Sequence, residues 1–499
     1  MNGRMKIRIT MNKAMFALLL LSACGSSGSL DIPLIFPEDE EPEQQGTVEA
    51  PHQVQCRKDK NSSWDTYSAV TVDRIEGFTV KDDPDTDTYG GWTIMNLGNA
   101  DGYFRVQQAA GRWWLVDPLG NIFLSKAVAV FSYGSSERQQ ANLKEKYGTA
   151  SNWAKSEIQF LKEQGFNSVG AWSSTSVIKG LSDDQKIPYA VMVSPTSSFN
   201  SAMKSSGKET DAYNAAGWEG YPYDFVCVWD DDFDTYLENG ISAIAQYKDD
   251  PYCIGYFIDN ELPWKQYAID RCLQKWPASH INHQKAQEWL DGRKGRTGCT
   301  INDVTDSDRE AFVAYCFDIY MQKVTSIAKK YDPNHLYLGC RFNQWKYELV
   351  NPEMWKVAGK YMDIISVNHY QKWQPDLDII SDWASWSGRP FFVTEFYTKG
   401  EDSGMGNTTG AGWNVLTQTD RGYFYQNFVN ELLKSGTCVG WHWFTYMDND
   451  PTNTDADSSN IDSNKGIVTW DFQRYTDLID QMRQINECTY NLARFYDVQ

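Results

Sequence analysis

Two glutamates in the chain each close an apolar run: Cys253-Ile254-Gly255-Tyr256-Phe257-Ile258-Asp259-Asn260 leads into Glu261, and Phe391-Phe392-Val393-Thr394 leads into Glu395. In a parallel α/β structure the chemistry collects where strands end, so these are the first acids to consider. Two carboxyl groups across one cleft can divide the work of breaking a glycosidic bond. One protonates the departing oxygen and the other stabilises or attacks the anomeric carbon. Arg341 ends a further apolar run, where a guanidinium can orient a carboxylate or a sugar hydroxyl, or close a buried ion pair. Asn368 and Tyr370 stand two apart after another run and point to one side of an extended segment, and the Tyr370 hydroxyl either holds Glu395 or packs. Trp172, Trp264 and the triplet Trp441-His442-Trp443 bring rings close to strand ends, and flat rings stack on pyranose faces. Trp264 and Trp443 are the expected platforms. Trp172 and His442 join them as substrate contacts, with an interior histidine the plain alternative for His442.

The elements that must position these residues follow from hydrophobic pattern. Apolar, β-branched runs at 122–128, 168–172, 189–193, 254–258, 336–340, 364–368, 391–394 and 439–444 alternate with helical periodicity at 154–164, 233–247, 309–331 and 420–434, and a last helix is expected at 474–485. Eight strands separated by helices predict an α/β protein of the (β/α)8 barrel type over residues 111–499, in preference to an open doubly wound sheet. Glu261 then ends the fourth strand and Glu395 the seventh, across the barrel mouth from each other. Residues 51–110 contain short strand-like pieces such as 69–72 and 77–80, and predict a small β-rich N-terminal appendage. Residues 24–50 are acidic and poor in core-forming side chains, which predicts a disordered tether.

Charge and composition exclude several partners. The net charge of -20 repels nucleic-acid backbones and anionic lipid, and it disfavours a heavily sulfated polysaccharide unless a local basic pocket overrides it. No glycine-rich phosphate loop and no internal repeat are present, so nucleotide binding has no support. Aromatic abundance, with 20 Trp and 28 Tyr, suits either a dense core or a sugar-binding cleft. No cofactor is expected. The acidic stretch Asp448-Asn449-Asp450 through Asp455, Asp457 and Asp462 offers oxygen ligands for a structural calcium but lacks the ordered EF-hand pattern, and a solvated loop is the alternative. No clustered Cys/His spacing predicts a zinc site. Of the ten cysteines, Cys272 and Cys299 lie in one loop excursion and form the first pair to test for a disulfide.

The first 23 residues carry Arg4, Lys6, Arg8 and Lys13, then an apolar run too short for the roughly 20 residues of a membrane span, then Leu21-Ser22-Ala23-Cys24. This resembles a bacterial lipoprotein signal. The resemblance implies cleavage before Cys24, acylation of Cys24 and export to the outer membrane, with the membrane touched only through the lipid.

Asn-Glu at the end of strand four with Glu at the end of strand seven resembles the large clan of retaining (β/α)8 glycosidases. Several stretches are similar to β-agarases of glycoside hydrolase family 50: Gly111-Arg112-Trp113-Trp114-Leu115-Val116-Asp117-Pro118-Leu119-Gly120, Phe257-Ile258-Asp259-Asn260-Glu261-Leu262, Tyr337-Leu338-Gly339-Cys340-Arg341-Phe342, Ile365-Ser366-Val367-Asn368-His369-Tyr370 and Ser463-Asn464-Lys465-Gly466-Ile467-Val468. The resemblance implies hydrolysis of an agarose-like galactan polysaccharide or oligosaccharide, with Glu261 as acid/base, Glu395 as nucleophile and Asn260 bonded to the 2-hydroxyl of the sugar being cleaved. The charge of Glu395 is expected to keep Glu261 protonated until the nucleophile is glycosylated. The chain departs from that family in its short N-terminal region and in Phe396-Tyr397-Thr398 after the nucleophile. The clan also holds mannanases, cellulases and β-galactosidases, and a glycan-binding lipoprotein without catalysis is the alternative of another class.

Overall fold

The computed structural model describes residues 49–83, 86–206, 225–343 and 350–498. The signal-like segment, Cys24 and nearly all of the acidic tether lie outside the described residues. At the centre is an all-parallel sheet of nine strands, in the spatial order Leu336–Tyr337, Cys253–Ile258, Tyr189–Val193, Ser168–Val169, Ser125–Val128, Cys438–Trp443, Phe391–Phe396, Ile365–Asn368 and Phe342–Asn343. Its first strand in sequence pairs in parallel with its last, Ala127 opposite His442. The two ends of the spatial order are short pieces of one run, 336–343. Between those pieces the run still bonds to both sides: Leu338 N–H donates to Tyr256 O at 2.9 Å, and Arg341 N–H donates to Ser366 Oγ at 2.9 Å.

The longest of these strands are apolar throughout because both faces are covered. Every residue of Cys253–Ile258, Phe391–Phe396 and Cys438–Trp443 is buried, the pattern of parallel strands packed between layers. The helices start where the sequence supplies a cap. Thr305 opens Asp306–Tyr331 and Thr417 opens Gln418–Lys434, each with a reciprocal capping box closed by the Asp three residues on. Such a cap stabilises a helix by about 1 kcal/mol.

Several predicted elements differ in the structure: the piece at 77–80 forms no strand, and of 336–340 only Leu336–Tyr337 does. The run at 122–128 divides at Leu124, so that Asn121–Phe123 pairs antiparallel with Arg112–Val116 and Trp92–Asn96, while Ser125–Val128 enters the central sheet. The predicted strand at 69–72 turns at its end, because Arg74 N–H bonds Thr71 O and the Thr71 hydroxyl bonds Asp73. In the run at 168–172 the strand is Ser168–Val169, Gly170 N–H and Ala171 O still bond toward Val128 and Val130, and Trp172 is left-handed, with φ of 56°. The N-terminal hairpin His52–Arg57 with Asp65–Ala69 pairs onward with Trp413–Val415, which pairs with Thr398–Gly400. That four-stranded sheet therefore joins the beginning of the described chain to the loop that follows Glu395.

Candidate active site

The strand Cys253–Ile258 delivers Asp259, Asn260 and Glu261 through an abrupt change of direction. Asp259 and Glu261 both take positive φ, 64° and 49°, a conformation that costs a side-chain-bearing residue about 1–2 kcal/mol. The turn is held by Asp259, whose carboxylate is buried and accepts from Thr196 N–H, the Thr196 hydroxyl and the Tyr320 hydroxyl at 2.7–2.9 Å. Glu261 N–H donates to Arg341 O at 3.2 Å. Arg341, φ 53°, Trp172 and Gln371, φ 60°, are left-handed as well. Five non-glycine residues at or just beyond strand ends thus share a disfavoured backbone, a pattern associated with functional clefts.

Glu395 is fixed from both sides. Arg341 Nη2 donates to its Oε1 at 2.5 Å and the Tyr370 hydroxyl donates to its Oε2. Arg341 is fully buried; its Nη1 reaches Asn260 Oδ1 at 2.9 Å, and its guanidinium carbon lies 4.1 Å from the centre of the Trp172 ring. One guanidinium therefore ties the segment after Cys253–Ile258 to Phe391–Phe396 while stacking on an aromatic face. His369 N–H donates to the Glu395 carbonyl at 2.7 Å, and the sheet register shifts at Val367/Asn368 so that Asn368 stands opposite Glu395.

Glu261 has a different environment. It is buried, accepts from Asn368 Nδ2 at 2.7 Å and bonds the side chain of Asn343. Burial, and after it the charge of Glu395, pushes its carboxyl up to about 7, against the pull of Asn368, Asn343 and Arg341. Desolvation outweighs the neighbouring charge that sequence reasoning made the main cause. The Thr394 hydroxyl donates to Asn368 Oδ1 at 2.8 Å, which turns the amide nitrogen toward Glu261.

Both carboxyl groups open into one cleft of about 310 Å³, with Asn260, Asn343 and Tyr370 on its floor and Trp172 and Phe444 on its walls. Ala411, Asp457, Ser459 and Asn460 complete the rim. Of the expected ring contacts, Trp172 is in the cleft and 39% exposed. Trp443, Trp264 and His442 are not, and these expectations are corrected. Trp443 is fully buried against Phe396 and Phe424, with its indole N–H on Lys465 O at 2.9 Å. Trp264 packs on Phe317 and Tyr320 of the Asp306–Tyr331 helix. His442 alternates with its tryptophan neighbours and bonds Ser125 Oγ at 3.1 Å below the cleft, where burial and then Arg341 hold it down to about 3. Sequence reasoning missed Asn343 and Phe444. Asn343 follows Arg341 by two residues, the same spacing as Asn368 and Tyr370, and that signal was available.

The carboxylates of the acidic stretch are engaged by donors of the protein. Asp448 accepts from Asn464, Tyr475 and the Lys465 and Gly466 N–H groups, Asp450 from Ser136, Arg138 and Thr452, and Asp462 from Thr408 and Thr409. Among the described residues no group of three His, Cys, Asp or Glu side chains is placed to hold a metal. Cys272 and Cys299 are buried, and no disulfide joins them or any other of the nine described cysteines. Cys299 Sγ instead lies 3.4 Å from Arg296 O.

No family model matches the chain. Among solved structures, BpGH50 superimposes with a TM-score of 0.78 at 27% identity, over 92% of this chain and 98% of that one. The agarase AgWH50C, at 21% identity and a TM-score of 0.66, covers 82% of this chain and 66% of its own, a likeness of fold. In sequence the chain is 25% identical to Beta-agarase B of Vibrio sp. (strain JT0107) over 496 residues, 82% of this chain and 50% of the relative. Beta-agarase A of the same strain is 24% identical over 474 residues, 76% and 45%. The chain spans about half the length of the curated relatives it matches. It is thus similar to family 50 glycoside hydrolases and their agarases in sequence and in fold.

Proposed function

We propose that the chain is a retaining glycoside hydrolase of the β-agarase type, built on a closed (β/α)8 barrel, that cleaves β-linked galactan by double displacement. The observation that carries this reading is the unequal pair in one cleft: Glu261, buried among amide donors, and Glu395, gripped on both oxygens by Arg341 and Tyr370. A carboxyl raised to about 7 can hold its proton near neutrality and give it to the glycosidic oxygen. A carboxylate held on both oxygens is aimed at the anomeric carbon, and its attack forms the ester as the C–O bond to the leaving sugar breaks. With that ester formed, the Glu395 charge is gone, Glu261 accepts a proton from water, and the resulting hydroxide releases the sugar. Asn260, fixed by Arg341, is placed to bond the 2-hydroxyl, and Trp172 offers the ring on which a pyranose stacks.

The Leu21-Ser22-Ala23-Cys24 motif supports a further part of the reading, that the protein is exported and anchored to the outer membrane by a lipid on Cys24. The galactan is then met outside the cytoplasm.

Digestion of agarose, porphyran, carrageenan, mannan and neutral galactan, with proton NMR of the first product, tests the function. Agarose cleavage with initial release of the β-anomer is expected. Cleavage of mannan alone would reassign the substrate, an initial α-anomer would remove the nucleophile role from Glu395, and no cleavage of any β-glycan would defeat the reading.

A further inference from the structure

Beside the catalytic cleft lies a second cavity, of about 640 Å³, that the reaction above does not use. Three separate stretches of chain build it. The N-terminal hairpin brings Lys58 and Tyr67, the strand Trp413–Val415 brings Trp413, and the segment after Ile365–Asn368 brings Gln371 through Asp378. One side chain stands between the two spaces. Tyr370, whose hydroxyl holds Glu395, lines the cleft, and Gln371, next in sequence, lines the second cavity. Gln371 Nε2 donates to the carbonyl of cleft-lining Ala411 at 3.2 Å, and its Oε1 accepts from the Trp413 indole N–H at 3.4 Å. A glycan that leaves the cleft past Ala411 therefore meets the second cavity next.

The lining suits a sugar. Tyr67 is half-buried, with its ring centre 5.6 Å from that of Trp373 and 5.4 Å from that of Trp413. Trp373 and Trp413 are only 5% and 6% exposed, so they back the phenol, and Tyr67 is the ring open to a ligand. Trp373 is itself tied to the hairpin by its indole N–H on Ser68 O at 2.7 Å. A ring fixed in this way loses little freedom when the apolar face of a pyranose settles on it. Lys58, Lys372, Gln374 and Asp378 stand exposed at the edge. Of the other two carboxylates in the lining, Asp376 caps the helix Leu377–Ser387 and Glu431 pairs with Lys434. Donors and acceptors of both signs around an aromatic base fit the hydroxyls of a neutral sugar, each of which both donates and accepts.

We propose that this cavity is a remote subsite for neutral sugar units of the same glycan chain that is cut between Glu261 and Glu395, with Tyr67 as its stacking platform. The inference rests on the glycoside hydrolase reading and extends it from the bond cleaved to the length of chain recognised.

Steady-state kinetics on an agarose tetrasaccharide and an agarose decasaccharide, with wild type, Tyr67→Ala, Tyr67→Phe and Gln374→Ala, test it, thermal unfolding serving as the control for folding. Wild type should have the higher kcat/KM on the decasaccharide. Tyr67→Ala should lower the decasaccharide-to-tetrasaccharide ratio of kcat/KM about fivefold or more, chiefly through KM on the longer substrate. Tyr67→Phe keeps the ring and should keep most of the ratio, and Gln374→Ala should lower it by less than Tyr67→Ala. Equal kcat/KM on the two substrates in wild type overturns the subsite, as does an unchanged ratio in folded Tyr67→Ala or an equal loss on both substrates. Weaker retention of Tyr67→Ala on insoluble agarose with the ratio unchanged would mean that a separate chain is bound, and overturns the shared-chain assignment. Should Tyr67→Ala fail to fold, Gln374→Ala, altered only at the exposed edge, decides by the same ratio. If wild type cleaves neither substrate, the functional reading falls and the subsite falls with it; if wild type cleaves both and the variants match it, only the subsite falls.

Discussion

Asn368 donates to Glu261 Oε1 at 2.7 Å while its own carbonyl oxygen is held by the Thr394 hydroxyl at 2.8 Å. The amide cannot flip without losing the second bond, so Glu261 always meets a donor. A donor favours the ionised carboxyl and opposes the burial that favours the neutral one. Asn368→Ala removes the opposition. The alkaline limb of the kcat/KM pH profile, set by the Glu261 proton, should move to higher pH, and kcat should fall roughly tenfold or more. A profile that keeps its limb in place would separate that limb from Glu261.

The same buried carboxyl couples stability to pH. Its ordinary value is 4.5 and its folded value about 7, so between these the folded chain keeps a proton that the unfolded chain releases. The associated stability is complete below about pH 4.5 and is lost as pH rises through about 7, an effect on the order of 3 kcal/mol. Glu261→Gln carries no such proton. Urea denaturation should find it close to wild type near pH 4 and more stable near pH 8; equal differences at both values would contradict the assignment.

Azide separates the two glutamates by product. Glu395→Ala should be inactive until azide fills the vacated space and yields an α-glycosyl azide. Glu261→Ala should keep its first step with a good leaving group and give the β-glycosyl azide. Exchange of the two products would exchange the roles.

Wild-type protein expressed with its own leader should partition with membranes, and Cys24→Ala should release it or stall its maturation. Membrane association unchanged by the substitution would end the lipoprotein reading.

The places of Glu261, Glu395, Arg341, Asn368 and Tyr370 were legible because each ends or follows an apolar run, and the end of a parallel strand is a fixed address. The sides of rings were not. In Cys438–Trp443 every position is buried, so no polar alternation told which of His442 and Trp443 turned inward or which faced the helix layer. Partnerships across long stretches of chain were equally silent: Cys56 pairs with Val415, and nothing local to His52–Arg57 names that partner. Burial as the main influence on Glu261 was hidden for the same reason, since desolvation is a property of the closed cleft.

Trp172, Asp259, Glu261, Arg341 and Gln371 all hold a left-handed backbone, and Trp172 and Glu261 among them line the cleft. Glycine relaxes the backbone at Trp172, the most exposed of the five, whereas at Asp259 and Arg341 it would strip buried hydrogen bonds. A screen for heat tolerance that ignores turnover would therefore find its gain at Trp172, and that hit would mark the working surface without a substrate ever being added.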